Sequence, residues 1–339
     1  MKAWGKGFTG IAFACALSAC GGGGDSGNGG LADPNSFSVS ATVGGTKVQT
    51  FSAGSQNATL TVKSGQDLRL DSSTDVTWKS GDATSNTEVS VKGASTQSWT
   101  AGLKSPPGGT FTVTVTSAKD ASKSAKVTVT VTPHEYTAGT AQVGRVITWK
   151  ETSNYVDGST AQKTRVNTTT GVDANTGITT VASTLNSVTD DTFTQDADGN
   201  RLKRTFPNGA SCTYNPKRNL LNFPLSVGKT WTSGWLYTCT AGYTETVSMT
   251  STVEAYEPVT TDAGTFNTLR IHHIETITKS NDGQLQNGPA GNAAYAIDMR
   301  CWWDVAGQRT VKCDNANTYQ GPAPANYVKT FSQSMMSVQ

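Results

Sequence analysis

Thr and Val alternate along two stretches in the first half of this chain, and that alternation limits what the chain can fold into. From Gly109 the order is Gly-Thr-Phe-Thr-Val-Thr-Val, and from Val127 it is Val-Thr-Val-Thr-Val. A period of two puts alternate residues on opposite faces of a pleated strand. Phe111, Val113 and Val115 then share one face, as do Val127, Val129 and Val131. The polar stretch Ser117 to Lys123 joins the two runs. The pair therefore reads as a hairpin with one buried face. Only 15% of residues are charged, while Thr, Ser, Gly and Val abound, a mix that suits half-buried strands joined by tight turns. No convincing helical pattern competes, so the chain is expected to be all-β.

Upstream of the hairpin, Leu60 and Val62, Leu68 and Leu70, Val76 and Trp78, and Val89 and Val91 mark four more short strands. Turn signals such as Ser64-Gly65 and Ser80-Gly81-Asp82 separate some of them. About seven short strands over residues 36–133 predict an immunoglobulin-like β-sandwich. The closing stretch from Gly109 to Val131 resembles the last two strands of bacterial extracellular immunoglobulin-like and PKD-like domains. Val76-Thr77-Trp78 resembles their central tryptophan strand. The inter-sheet cysteine pair of antibody domains is missing. The resemblance implies a spacer or adhesive module.

Residues 138–339 are expected to form a second domain. Candidate strands are Val143 to Thr152, Lys163 to Thr169, Ile178 to Leu185, Thr192 to Gln195, Arg201 to Phe206 and Ser211 to Tyr214. Thr230 to Thr240, Tyr243 to Tyr256, Thr265 to Thr278, Ala293 to Asp304, Arg309 to Cys313 and Tyr327 to Met335 follow. That is more than a small sandwich needs, and predicts a long antiparallel sheet curved into a half-barrel or barrel. Three elements carry a second resemblance. They are Phe223-Pro224-Leu225-Ser226-Val227-Gly228-Lys229-Thr230-Trp231, the strand start Ala263-Gly264-Thr265-Phe266, and Cys301-Trp302-Trp303-Asp304 ahead of Val311-Lys312. Their order is similar to an uncharacterised family of bacterial envelope proteins with an F-P-L-x-x-G-x-x-W element, an A-G-T-F strand start and a Y-W-x-x strand. Its sheet is likened to the half-barrels of periplasmic lipoprotein carriers. Trp302 stands where that family often has Tyr, and the cysteines are additions. The resemblance implies a fold and no particular activity.

The N-terminus predicts an address. Lys2 and Lys6 precede a mostly small or apolar run from Phe8 to Ala19, long enough for a signal peptide but short for a membrane span. Leu17-Ser18-Ala19-Cys20 resembles the lipobox of bacterial lipoprotein precursors. The resemblance implies that residues 1–19 are removed and that Cys20 is lipidated with acyl chains such as palmitate. Several chains on one residue anchor stably where one would not. Residues 20–35 then hold the lipidated Cys and a Gly-rich tether, beginning Gly-Gly-Gly-Gly-Asp-Ser-Gly-Asn-Gly-Gly after Cys20. Such a segment behaves as a flexible coil. Gly21 is not Asp, which by the sorting rule of Gram-negative lipoproteins implies the outer membrane; its periplasmic face or the cell surface remain equal options.

Loss of Lys2 and Lys6 takes the 27 Lys and Arg to 25, equal to the 25 Asp and Glu. With no basic block, nucleic acid is not an expected partner. Of six cysteines, Cys15 leaves with the signal and Cys20 takes lipid. Cys212, Cys239, Cys301 and Cys313 remain, and an even count in an exported chain reads as two disulfides with three pairings open. Cys301 and Cys313 flank a turn near Gly307, which predicts Cys301–Cys313; the strands around Cys212 and Cys239 come before and after the Phe223-to-Trp231 crossover, and side by side they would pair Cys212 with Cys239.

Catalytic and metal signals are sparse. His272 and His273 are adjacent and have only Glu275 nearby, so structural roles are expected; a bulge near His272 would reconcile the apolar spacing around it. Asp196-Ala197-Asp198-Gly199-Asn200 has calcium-like spacing, but position twelve of that pattern falls on Pro207, so a turn is expected. Asn281-Asp282-Gly283 reads as another turn. Acids look scattered and largely near turns, and no pair for glycosidase chemistry can be singled out. No cofactor, metal or catalytic residue is predicted, and the chain is expected not to be an enzyme. Trp231, Trp235, Trp302 and Trp303 are the candidate ligand-binding residues, with core packing as the competing use. Trp302 and Trp303 must point to opposite faces of one strand. The leading expectation is an outer-membrane lipoprotein whose C-terminal domain binds a lipid, a glycan or an envelope protein. A structural or adhesive surface protein is the alternative, and a glycan-processing enzyme the third reading. An open apolar concavity would favour binding, a filled barrel the structural role, and converging acids the enzyme.

Overall fold

The computed structural model describes residues 36–339 apart from 56–57, 82, 84–86, 241, 281–293 and 321–324. The signal peptide, Cys20, the tether and the Asn281-Asp282-Gly283 turn lie outside the described residues. Every regular element described is a strand.

The first part is a sandwich of two sheets. Its strands are β1 (Ser38–Val43), β2 (Thr46–Ser52), β3 (Ala58–Lys63), β4 (Asp67–Ser72), β5 (Val76–Gly81), β6 (Glu88–Ala94), β7 (Ser98–Lys104), β8 (Gly109–Ser117) and β9 (Ser124–Thr132). One sheet has the order β2-β1-β4-β7-β6 and the other β3-β9-β8-β5. The Thr/Val alternation does what its period requires. Phe111 pairs with Val129 and Val113 with Val127 across β8 and β9, and these side chains are buried while the threonines face outward. β3 runs parallel to β9, with Leu60 opposite Val129. β1, β2 and β7 escaped the sequence reading because small or polar residues dilute their apolar faces; β2 buries only Phe51. Trp78 is not the core tryptophan. It sits on β5, an edge strand, and stays half-buried, with its indole N–H donating to the Ser95 carbonyl at 2.9 Å. Trp99, on β7 between two neighbours, fills the core instead, 6.5 Å from the Phe111 ring.

The second part is a closed antiparallel barrel. Its strands are β10 (Val146–Tyr155), β11 (Thr160–Val172), β12 (Thr179–Leu185), β13 (Val188–Gln195), β14 (Arg201–Thr205), β15 (Ser211–Arg218), β16 (Thr230–Cys239), β17 (Thr244–Thr261), β18 (Gly264–Ser280), β19 (Ala294–Asp304), β20 (Arg309–Tyr319) and β21 (Val328–Val338). Each pairs with the next, and β21 returns to β10, with Glu151 opposite Gln333. Closure removes the sheet edges that an open half-barrel would expose.

Side chains of β17 alternate cleanly: Val247, Met249, Ser251 and Val253 are buried, while Thr246, Ser248 and Thr250 are exposed. β10 likewise turns Trp149 and Glu151 inward and Lys150 outward. A polar outward face is the reverse of a membrane-spanning barrel, whose outward band is apolar.

The Phe223-to-Trp231 element connects β15 to β16 and packs into one end of the barrel. Phe223 stands edge-on to Trp303 at 5.4 Å, and the fully buried Leu225 exchanges backbone hydrogen bonds with Tyr136. Gly228 has φ +87°, a left-handed conformation that suits glycine, and its N–H reaches the Val253 carbonyl at 2.9 Å.

The structure joins Cys212 to Cys239 and Cys301 to Cys313, with Cα separations of 4.0 and 4.1 Å. Both pairs sit directly opposite each other in register on neighbouring strands.

Candidate functional site

Closing twelve strands leaves an interior wide enough for more than side chains. Among the described residues it holds a chamber of about 570 Å³ and a smaller one of about 260 Å³. Arg204 and Arg218 line both, and so form the partition between them. The larger volume falls in the range of small-molecule sites.

The wall of the larger chamber is charged and aromatic. From β11, Arg165 reaches Glu151 of β10 (Nε to Oε1, 2.6 Å), Asp190 of β13 (2.6 Å) and the Ser183 hydroxyl of β12 (2.7 Å). Gln333 adds a hydrogen bond to Glu151 at 3.1 Å. Arg204 of β14 reaches Asp191 of β13 at 2.5 Å. Arg218 of β15 reaches Glu275 of β18 at 3.0 Å, and Glu275 is 1% exposed. Buried charges demand such partners, because an unpaired one is expensive.

Arg201 stands outside these pairs. Its guanidinium lies over the Phe193 ring, 4.3 Å from the centroid, and faces the larger chamber. Burial opposes the charge on both Arg201 and Arg218, yet the two shift in opposite directions. Glu275 outweighs burial at Arg218 and raises its pKa. At Arg201 burial prevails, the cations Arg204 and Arg218 add to it, and the pKa is lowered.

Five atoms of the same wall are buried without a hydrogen-bond partner: the indole N–H of Trp149, the Nε–H of Arg309 and the oxygens Asn167 Oδ1, Asp191 Oδ1 and Asn315 Oδ1. Trp149 and Asp191 are 6% and 2% exposed. Each such orphan costs about 1–3 kcal/mol unless something in the chamber satisfies it.

The smaller chamber is lined by tyrosines. Glu245 accepts hydrogen bonds from the hydroxyls of Tyr243 and, at 3.1 Å, Tyr295. Burial and the Glu245 charge push both phenol pKa values up. Burial, with help from Tyr214, pushes Tyr237 up to about 12. The ammonium of Lys279 lies 5.5 Å from the rings of both Tyr243 and Tyr295.

His273 lines the larger chamber, 1% exposed, with Nδ1 2.8 Å from the Ser251 hydroxyl. Burial first, then the cation of Arg218, lowers its pKa to about 3, so it is neutral at ordinary pH. Ser251 is fully buried, so the pair lacks the accessible hydroxyl that nucleophilic catalysis requires. His272 points the other way, between Glu254 at 2.9 Å and Asp298 at 3.0 Å on the outer face. The bulge suggested near His272 is not on its own strand: His272 pairs in register with Thr252, and the irregularity lies on β17 between Val253 and Ala255, opposite Ile271 and Arg270.

The four candidate tryptophans divide. Trp303, 2% exposed, lines the larger chamber, and Trp235, 4% exposed, lines the smaller one beneath Arg218. Trp231 packs with Leu225 and His273 and donates to the Asn219 carbonyl at 3.3 Å. Trp302 faces outward, donating to Glu257 at 2.8 Å with Lys312 4.7 Å from its ring. Trp149, Phe193 and the arginines were missed. The available signal was the charged residues inside strands rather than in turns.

Of the half-barrel and barrel alternatives the structure has the closed barrel, and its interior wall carries ion pairs rather than an apolar lining alone. Acids also stand inside strands: Glu151 and Asp191 face the lumen and Asp190 meets Arg165 beside them, each held by a guanidinium. In the Asp196 turn, Asp196 Oδ1 accepts from the N–H groups of Asp198 (3.0 Å) and Asn200 (2.8 Å), and Lys217 sits on Oδ2. An ammonium thus takes the place a calcium ion would need. Among the described residues, no three His, Cys, Asp or Glu side chains gather as metal ligands.

The chain matches no protein-family model and no curated protein. Three solved bacterial structures are similar over the greater part of it. A protein assigned as exported, with a YmcC-like fold, from Bacteroides fragilis is 11% identical over 60% of this chain and 99% of its own, with a TM-score of 0.31. The hypothetical lipoprotein YmcC of Escherichia coli is 11% identical over 58% of this chain and 86% of its own, with a TM-score of 0.31. A protein assigned as a lipoprotein in Parabacteroides distasonis is 10% identical over 60% of this chain and 99% of its own, with a TM-score of 0.32. Likenesses at this level of identity and TM-score carry no inference of function.

Proposed function

We propose that this protein is a lipid-anchored outer-membrane protein whose barrel binds a saccharide in its larger chamber without converting it. The observation that carries the binding reading is the set of orphaned polar atoms on that wall. Three unpartnered oxygens, of Asn167, Asp191 and Asn315, want hydrogen-bond donors, and the N–H groups of Trp149 Nε1 and Arg309 Nε want acceptors. A polyhydroxylated ligand supplies both. Trp149, Trp303, Phe193 and Phe331 offer apolar faces between them. An acyl chain would leave every one of those polar atoms unsatisfied and would press against ion pairs, so a glycan fits better than a lipid.

Anchoring at Cys20 rests on the lipobox-like sequence, and the outer membrane on Gly21. The sandwich would act as an immunoglobulin-like spacer; its two-sheet order and the parallel β3–β9 pair support that description. Glycan hydrolysis has less support. It needs two available carboxyl groups, and Glu151 is already occupied by Arg165 and Gln333.

A thermal-shift comparison of the purified protein with oligosaccharides and with fatty acids tests the reading. A ligand bound only to the native state raises stability as RT ln(1 + [L]/Kd). Saccharides should raise the melting temperature and fatty acids should not. A shift with fatty acids alone would overturn the proposal.

A further inference from the structure

We propose that the larger chamber selects a saccharide bearing an acidic group, a carboxylate or a phosphate, and that Arg201 is the residue that receives it. This rests on the saccharide reading above and names the class of sugar.

Arg145 enters the lining from the residue before β10, and Arg309 lies 3.6 Å from Asp304; three further lumen arginines are committed to carboxylates. Arg165 holds Glu151 and Asp190, Arg204 holds Asp191, and Arg218 holds Glu275. Arg201 has the Phe193 ring beneath it and no carboxylate against it. The ring face favours a cation but supplies no hydrogen-bond acceptor for the guanidinium N–H groups. A guanidinium offers donors in a planar fork that matches carboxylate and phosphate oxygens. The lining as a whole holds six arginines (Arg145, Arg165, Arg201, Arg204, Arg218 and Arg309) against the four carboxylates Glu151, Asp191, Asp196 and Asp198, so an acidic group there meets a positive field. Asp191 is a carboxylate whose charge reaches Arg201, and Arg204 offsets it. Its unpartnered oxygen wants a donor, which a sugar hydroxyl provides and an acid group does not. The wall therefore has separate places for the two halves of an acidic sugar. The acid goes to Arg201, and the hydroxyls go to Asp191, Asn167 and Asn315.

Calorimetric titration of the purified protein distinguishes this from plain saccharide binding. The probes are a galacturonic acid oligomer, a galactose oligomer of equal length and galactose 1-phosphate set against galactose. At low salt, at least one acidic probe should bind at least tenfold more tightly than its neutral counterpart. The oligomer arm reads carboxylate and the monosaccharide arm reads phosphate. Arg201→Met should reduce that preference to twofold or less while neutral binding persists, and Arg201→Lys should keep part of it. Circular dichroism checks that each variant is folded, and the Lys variant carries the test if the Met variant is not. Equal binding of acidic and neutral probes by the wild type would overturn the acid selection and leave the saccharide reading intact. A preference that survives in Arg201→Met would overturn the role of Arg201. No binding of any probe would overturn both.

Discussion

Arg165 and Glu151, on neighbouring strands of the barrel, meet inside it with Nε 2.6 Å from Oε1. Asp190 and Ser183 complete the ring of acceptors around the same guanidinium. Arg165 therefore ties β10, β11, β12 and β13 together from within. Removing one partner of such a pair leaves buried charge behind, which costs about 3–5 kcal/mol when burial is complete. The Arg165 side chain is 18% exposed, so the lower end applies. Arg165→Met should lower the urea-unfolding free energy by about 3 kcal/mol. Adding Glu151→Gln to that variant should restore part of the loss. An unchanged midpoint in Arg165→Met would show that the hub contributes nothing.

The two disulfides brace the same interior. Cys301 and Cys313 are separated by 12 residues and Cys212 and Cys239 by 27. On chain-entropy grounds the shorter loop is worth about 3 kcal/mol and the longer about 3.5 kcal/mol. Replacing Cys301 and Cys313 together by Ser should lower the melting temperature under oxidising conditions. The effect should vanish when wild type and variant are compared in reductant. Non-reducing peptide mapping that joined Cys212 to Cys313 would contradict the register of the sheet.

His273 makes stability depend on pH in a set direction. Its folded pKa is lowered to about 3 by burial and by Arg218, while an unfolded histidine titrates near 6.5. Between these values the unfolded state binds more protons than the folded one. Stability is therefore full above pH 6.5 and falls as pH drops toward 3, by up to about 1.4 kcal/mol per unit. The folded variant His273→Gln should show a shallower loss between pH 6.5 and 4. Equal slopes for wild type and variant would contradict a buried neutral imidazole.

Cys20→Ala should release the protein from membranes into the soluble fraction and abolish labelling with a palmitate analogue. Retention of the variant in the membrane, with no label on the wild type, would remove the anchor from the account.

Sequence reached the strands more easily than the lumen, for a physical reason. Alternation is local: Phe111-Thr112-Val113 reports a buried face by itself, and the Cys301–Cys313 register follows from one hairpin. The lumen is assembled from residues far apart in sequence. Nothing local tells Glu151 to face Arg165 or leaves Arg201 over Phe193 without a carboxylate. Charged residues such as Glu151 and Asp191 look like surface positions until closure puts their strand face inside. Trp302 and Trp303 show the same limit. Their opposite directions were legible, but which one entered the barrel depended on the register with β20. Trp78 misled because its sequence neighbours match a core tryptophan, whereas its place on an edge strand does not.

The central claim is that a polar ligand occupies the barrel interior, and the indole N–H resonances of the tryptophans test it most directly. Trp149 Nε1 is buried in the lumen wall without a partner, whereas Trp78 Nε1 is bonded to Ser95 in the sandwich and Trp302 Nε1 to Glu257 on the outer face. Titration of ¹⁵N-labelled protein with the oligosaccharide should move the Trp149 resonance and leave those of Trp78 and Trp302 in place. Movement of Trp302 with Trp149 unchanged would put the ligand on the outside and contradict the account.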